Sequence, residues 1–479
     1  MNIGIVIYTV GWAIFLESAF MILPGLVGVI YGEKQGYAYF ICALAGLLIG
    51  AVTVLIKPKN KQFFAREGFA SVGLSWICMS LFGAVPFCVT KDITNYIDAL
   101  FEIASGLTTT GATILTDVEA VSHAGLFWRA FSHWIGGMGV FVFLLAVMPM
   151  LGGLNMHLLR AESPGPIVGK LVPKMKDSSQ ILYLIYIVMT LIEFGLLWIM
   201  GMTPFEAICT AFSTAGTGGF GVYNSSIADF STLIKWTVTV FMILFGVNFN
   251  VYFLILAKKF KSIFRIEEVR WYFVIIFTAV AVVFINIVKT YESAGDALTD
   301  AAFQVASIIT TTGFATCNFD LWPSLSKTVI VLLMLVGACA GSTGGGLKVS
   351  RIILVFKAIR QEIILFIHPR SVKAVGLDDK TVDKNVVKSV VVYFALFIFI
   401  LLASSLLVSV DGFEMTTNFA SVLATINNVG PGFGVTGPAG SFATYSYFSK
   451  FVFIFDMLAG RLELYPILLL IVPQMWKKH

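Results

Sequence analysis

Asp98-Ala-Leu-Phe-Glu-Ile-Ala-Ser-Gly-Leu-Thr-Thr-Thr-Gly-Ala-Thr113 recurs in looser form three more times along the chain. The other copies are Phe205-Glu-Ala-Ile-Cys-Thr-Ala-Phe-Ser-Thr-Ala-Gly-Thr-Gly-Gly-Phe220, Asp300-Ala-Ala-Phe-Gln-Val-Ala-Ser-Ile-Ile-Thr-Thr-Thr-Gly-Phe-Ala315 and Thr417-Asn-Phe-Ala-Ser-Val-Leu-Ala-Thr-Ile-Asn-Asn-Val-Gly-Pro-Gly432. Aligned without gaps, they place Gly111, Gly218, Gly313 and Gly430 in one column. A single Thr-Gly pair in an apolar helix is ordinary packing. Four aligned copies are an internal repeat, and a repeat dictates architecture.

On both sides of each copy lies apolar sequence. Runs such as 181–201, 233–257, 271–288 and 386–410 are long enough to cross a hydrocarbon core of roughly 30 Å. Most basic residues fall in five clusters, at 57–66, 160–176, 258–270, 348–388 and 477–478. The positive-inside rule puts these clusters and both termini in the cytoplasm. Each unit therefore leaves and re-enters on the same side. Its Gly/Thr-rich middle is then a re-entrant half-helix that stops partway.

The composition agrees. The chain has 479 residues, 58% of them hydrophobic and 12% charged, with a mean hydropathy of +0.90. No soluble domain hides that much apolar surface. Alternating strands are absent, which excludes a barrel. The expected fold is an all-α membrane protein: a two-helix domain over residues 1–66, then pore-loop repeats over 67–176, 177–266, 267–380 and 381–479 in pseudo-fourfold arrangement. The first apolar stretch, Ile3–Ile30, lacks a basic leader and reads as a retained span. Six scattered cysteines with no CxxC pair argue against a disulfide framework or zinc site. The net charge of +5 belongs to lipid-facing loops, and there is no basic soluble domain to bind nucleic acid.

The repeat chemistry suits ions. A cation crossing lipid must exchange water for other oxygens, and rings of main-chain carbonyls supply them without a trapping charge. Glycine lets the backbone leave helical geometry. The C-terminal ends of four half-helices add partial negative charge at mid-membrane. A divalent ion would call for carboxylates, yet no acid aligns beside the glycines. Asp98, Glu102, Glu206 and Asp300 fall near the outer mouth, as cation attractors or as solvated helix-start acids.

Two further segments stand out. Gly337-Ala-Cys-Ala-Gly-Ser-Thr-Gly-Gly-Gly-Leu-Lys348 interrupts the return span of the third unit and is expected to unwind it. Its spacing is wrong for a phosphate-binding loop. Arg461, in the last span, reads either as an electrostatic barrier in the pore or as structural glue paired with Asp456 or Glu463. Arg129, beside Trp128, is expected at an outer interface.

Taken with Trp134-Ile-Gly-Gly-Met-Gly139, Arg160-Ala-Glu-Ser-Pro-Gly165, His368-Pro-Arg370 and Gly460-Arg-Leu-Glu-Leu-Tyr-Pro466, these segments resemble the Trk/Ktr/HKT superfamily of potassium transporters, in particular its TrkH/TrkG branch. The likeness covers essentially the whole chain. It implies potassium uptake through a gated pore in the bacterial inner membrane, by a homodimer that meets a cytosolic ring of nucleotide-binding TrkA-like subunits. It also implies a filter built from Thr109, Thr110, Gly111, Gly216, Thr217, Gly218, Thr311, Thr312, Gly313, Asn428, Val429 and Gly430, with K+ as the transported ion and no bound cofactor. The family's gating loop maps onto Gly341, Ser342, Thr343, Gly344, Gly345 and Gly346, and its pore-blocking arginine onto Arg461. A serine can replace the first filter glycine in sodium-carrying members, so four glycines favour potassium. The alternatives are a sodium- or proton-coupled symporter and a less selective cation pore. Parallel repeats argue against alternating access, and no nucleophile–base or metal constellation suggests an enzyme.

Overall fold

The computed structural model describes residues 1–56, 58, 64–139, 175–370, 374–378 and 380–477, with only the backbone of 175–179. The basic cluster at 160–176, including the Arg160–Gly165 motif, falls largely outside the described residues, as do most of the cluster at 57–66 and Lys478.

Two N-terminal spans come first. Helix α1 (Ile3–Phe20) continues into α2 (Ile22–Ile30), and α3 (Gln35–Leu55) returns. Hydrophobicity gives no net attraction between helices in lipid, so close backbone approach does the joining. Gly28 and Gly36 meet where α2 crosses α3: a Cβ on Gly28 would lie 2.6 Å from the Gly36 Cα.

The four units follow. The first comprises α4 (Ala65–Gly83), α5 (Val85–Thr90), α6 (Tyr96–Leu107) and α7 (His123–Met138). The second comprises α8 (Met175–Ile199), α9 (Pro204–Gly216), α10 (Thr232–Phe245) and α11 (Asn250–Leu256), trailed by the short α12 (Phe260–Ile263). The third comprises α13 (Glu267–Ile287), α14 (Ala294–Ile309), α15 (Ser324–Val336) and α16 (Val349–Ile367). A two-residue hairpin, β1 (Gly376–Leu377) with β2 (Lys380–Thr381), leads to α17 (Lys384–Val408), α18 (Met415–Ile426), α19 (Tyr447–Arg461) and α20 (Tyr465–Ile471).

The half-helices α6, α9, α14 and α18 have 12, 13, 16 and 12 residues, too short to cross a bilayer. Their starts are capped in sequence-legible ways. Asn95 accepts from the Ile97 and Asp98 amides, and Thr203 with Glu206 forms a capping box.

Six helices among the described residues are long and apolar enough to span: Ile3–Ile30, Gln35–Leu55, Ala65–Thr90, Gln180–Ile199, Glu267–Thr290 and Lys384–Asp411. These are the two N-terminal spans and the outgoing span of each unit. The return helices α7, α10, α15 and α19 instead stop after 16, 14, 13 and 15 residues. The expectation that only the third return span breaks is therefore wrong. The apolar run 233–257 turns by 95° between α10 and α11. The breaks coincide with glycines that abut neighbouring main chain. A Cβ on Gly136 would overlap the Leu107 carbonyl, and one on Gly460 would overlap that of Ile426.

Replacing Gly28 with leucine is expected to pry α2 from α3 and destabilise the protein by about 2 kcal/mol. Gly195→Leu, at a site with no atom within 4 Å, serves as the control and should shift stability by less than about 0.5 kcal/mol. Thermal unfolding of the purified protein in detergent reads both.

Candidate functional site

Each half-helix ends in the same turn. The Thr110, Gly218, Thr312 and Val429 amides donate back to the carbonyls of Ser105, Ser213, Ser307 and Ala424, every one at 2.8 Å. The preceding residues Thr109, Thr217, Thr311 and Asn428 donate three residues back and sit in the left-handed region, at φ 56°, 55°, 57° and 55°. This is a Schellman cap, usually completed by glycine. Here a side chain occupies the left-handed position in all four units, at a strain of order 1 kcal/mol each. Two residues further on, Gly111, Gly219, Gly313 and Gly430 have φ 79°, 79°, 83° and 100°.

The second unit is therefore offset by one from the ungapped alignment. Gly219, not Gly218, is the equivalent of Gly111, and Gly216 is the last residue of α9, level with Thr108 and Thr310. The sequence held the signal for this. With the shift, Glu206 aligns with Asp98 and Asp300, and Ser213 with Ser105 and Ser307. Gly-Thr-Gly-Gly offers two glycines, and aligning on the Thr-Gly pair selects the wrong one.

The four glycines close a ring. A Cβ on Gly111 would overlap the carbonyl oxygen of Gly218, one on Gly219 that of Thr312, and one on Gly313 that of Val429. A Cβ on Gly430 would lie 2.7 Å from the Thr110 oxygen, which returns to the first unit. The units thus run one, two, three, four around a common centre. At each glycine, room and positive φ both exclude a side chain. The Asn428 amide ties the fourth strand to the first through the Thr110 hydroxyl at 2.9 Å.

Behind the ring lies a charged pair. Arg129 Nε donates to Glu102 at 2.7 Å, and both side chains are buried. Glu102 also accepts from the Thr113 hydroxyl (2.9 Å) and the Ile114 amide (3.0 Å), while the guanidinium stacks 4.1 Å over the Phe220 ring. Arg129 is thus an internal residue that clamps the outer ends of strands one and two, not an interfacial one. Glu102 is its buried counter-ion, not a solvated acid. Asp300 likewise sits in the seventh position of α14, bonded to Tyr291 and Thr316. Asp98 and Glu206 do lie in first turns, and Asp98 pairs with Lys450 at 2.6 Å.

Beneath the ring runs the glycine-rich loop. The Gly345 amide donates to the Thr311 hydroxyl at 2.6 Å, and Cβ atoms on Gly344 or Gly345 would press on the Thr310 and Asn427 carbonyls. Glu268 anchors the loop by accepting from the Ala340 (2.7 Å) and Ser350 (3.1 Å) amides, and Lys348 bonds the Gly344 carbonyl. Arg461 donates to the Thr343 carbonyl at 2.8 Å and to the Gly136 and Gly137 carbonyls. Its suggested partners are engaged elsewhere: Glu463 with Arg351, and Asp456 with Ser404 at 2.7 Å. Units one and three are opposite in the ring. A side chain from unit four that touches both crosses beneath the centre.

Comparison with known proteins places this geometry in context. The sequence pattern of the TrkH family, described as cation transport protein, matches residues 35–478. The chain is 37% identical to the Trk system potassium uptake protein TrkH of Salmonella typhimurium, over 98% of each chain. It is 32% identical to the TrkG of Escherichia coli over 99% of each. The crystal structure of the potassium transporter TrkH from Vibrio parahaemolyticus superposes with a TM-score of 0.89 at 32% identity, covering all of both chains.

Arg129→Ala is expected to destabilise the protein by about 3 kcal/mol, because it leaves Glu102 buried without a counter-charge. Adding Glu102→Gln should recover at least half of that loss. Thermal unfolding of the single and double variants checks both values.

Proposed function

We propose, for a chain that belongs to the TrkH family of cation transport proteins, that it takes up potassium ions across the bacterial inner membrane through a gated pore. One observation carries this reading: four equivalent strands meet in a closed ring in which the carbonyl before each glycine abuts the next strand. Neutral main-chain oxygens at that density replace the hydration shell of a monovalent ion and hold it weakly enough to let it go. The filter consists of residues 109–111, 217–219, 311–313 and 428–430. The converging C-termini of α6, α9, α14 and α18 favour a cation just below.

The loop at residues 341–346 and Arg461 form the closed gate. A fixed positive charge spanning from unit one to unit three repels cations where they leave the filter. The guanidinium is held mainly by main-chain carbonyls, so withdrawing it breaks hydrogen bonds without stranding a buried carboxylate. The basic clusters put both termini in the cytoplasm. The N-terminal pair of helices is a separate unit, residues 1–66, ahead of the four repeats. A homodimer with a TrkA-like nucleotide-binding ring fits the basic cytoplasmic segments and the branch to which the chain belongs.

In reconstituted liposomes, Gly111→Ser should lower the potassium-over-sodium flux ratio about tenfold, since a Cβ there strains the backbone and meets the next strand. Equal ratios in variant and parent would remove the filter assignment. Arg461→Ala should raise basal potassium flux severalfold. Flux no greater than the parent's, from well-folded protein, would remove the gate assignment.

A further inference from the structure

Units one and three back their strands with paired threonines. The Thr108 hydroxyl donates to the Ala104 carbonyl at 2.6 Å and lies 2.7 Å from that of Thr110. Thr310 and Thr312 repeat the arrangement, at 2.7 Å and 2.7 Å. Unit two has Gly216 and Gly218 at these positions, so its strand lacks both side chains. Gly218 is absent from the residues with positive φ. Thr110 and Thr312, at the equivalent positions, show that threonine fits the backbone there. What Gly218 supplies is room.

A side chain from another unit fills that room. His133, on α7 of unit one, is fully buried. A Cβ placed on Gly218 would have His133 ring atoms as its three nearest neighbours, all at overlapping distance. Nδ1 lies 2.8 Å from the Gly106 carbonyl, and Nε2 lies 3.3 Å from the Phe220 amide nitrogen. A carbonyl only accepts and an amide N–H only donates. Nδ1 therefore carries the proton, Nε2 accepts, and the imidazole is neutral. The ring centroids of His133 and Phe220 are 4.2 Å apart. Phe220, immediately after Gly219, is also held at its carbonyl by the Ser213 hydroxyl at 2.9 Å.

We propose that His133 is the positioning residue of the second filter strand: it occupies the space left by two absent threonine side chains and fixes the exit of that strand through the Phe220 amide. The inference rests on the filter reading above. It makes His133 and Gly218 a size-matched pair across two units, in which neither tolerates change alone.

The test uses the full-length protein in liposomes with measured potassium and sodium fluxes. His133→Ala should lower the potassium-over-sodium ratio about tenfold, and Gly218→Thr should cut potassium flux about tenfold by overpacking against the imidazole. The double variant His133→Ala/Gly218→Thr, which rebuilds the arrangement of units one and three, should return both readings to within about threefold of the parent. His133→Asn keeps a donor for Gly106 but has no acceptor placed for Phe220. It should show the same ratio shift as His133→Ala, and it serves where the alanine variant fails to assemble. Gly313→Ser reports on the filter alone. If it shifts the ratio while the histidine variants do not, or while the double variant shows only the product of the single effects, His133 is ordinary packing and the inference is overturned. If neither Gly313→Ser nor the histidine variants shift the ratio, the filter reading itself fails and takes this inference with it.

Discussion

The molecule depends on a single turn made four times: a helix has to end inside the membrane and release an extended strand without leaving backbone groups unpaired. In water the last carbonyls and the first freed amides of such a turn are solvated. In hydrocarbon each must find a protein partner. The Schellman cap meets that demand within three residues by sending amides back to the helix they have just left. Left-handed Thr109, Thr217, Thr311 and Asn428 then redirect the chain, and the glycine two residues later turns it again. Glycine in the first position would be less strained, but threonine brings a hydroxyl into the packed space around the strand. The Thr311 hydroxyl, which accepts from Gly345, puts that oxygen to use against the loop below.

The ionic groups sit where such a turn needs support. Arg129 and Glu102 brace the outer ends of strands one and two, Glu268 holds the loop below, and Arg461 crosses beneath. Each side chain reaches out of its own unit. A buried charge is costly in lipid, and here the cost is met by tying together elements distant in sequence. Arg351 and Glu463 do the same between the third and fourth units, with the guanidinium 4.3 Å over the Tyr393 ring.

Much of this was legible in the chain, and the failures have physical causes. Span length, basic clusters and the repeated Thr-Gly segment read directly as membrane helices and re-entrant half-helices, because hydropathy and local backbone preference decide those features. Breaks in the return helices were not legible. Gly136, Gly246 and Gly460 resemble the small residues that pack ordinary membrane helices, and only their opposition to a half-helix carbonyl marks them as bends. Arg129 was misplaced because a neighbouring tryptophan suggests an interface, whereas its burial depends on a glutamate 27 positions earlier on another helix. Arg461 was read against nearby carboxylates, although its partners are main-chain oxygens more than a hundred residues away. His133 gave no sign at all, since its role exists only through the glycines opposite.

That all four quadrants are written into one gene product has an evolutionary corollary. In an assembly of identical subunits, any substitution at the centre arrives four times at once, and its effect is multiplied accordingly. Here a lineage can alter one quadrant, compensate from an adjoining helix and leave three untouched, as the histidine opposite a glycine-rich second strand illustrates. Ionic preference can thereby drift in quarter-steps, each small enough to survive selection.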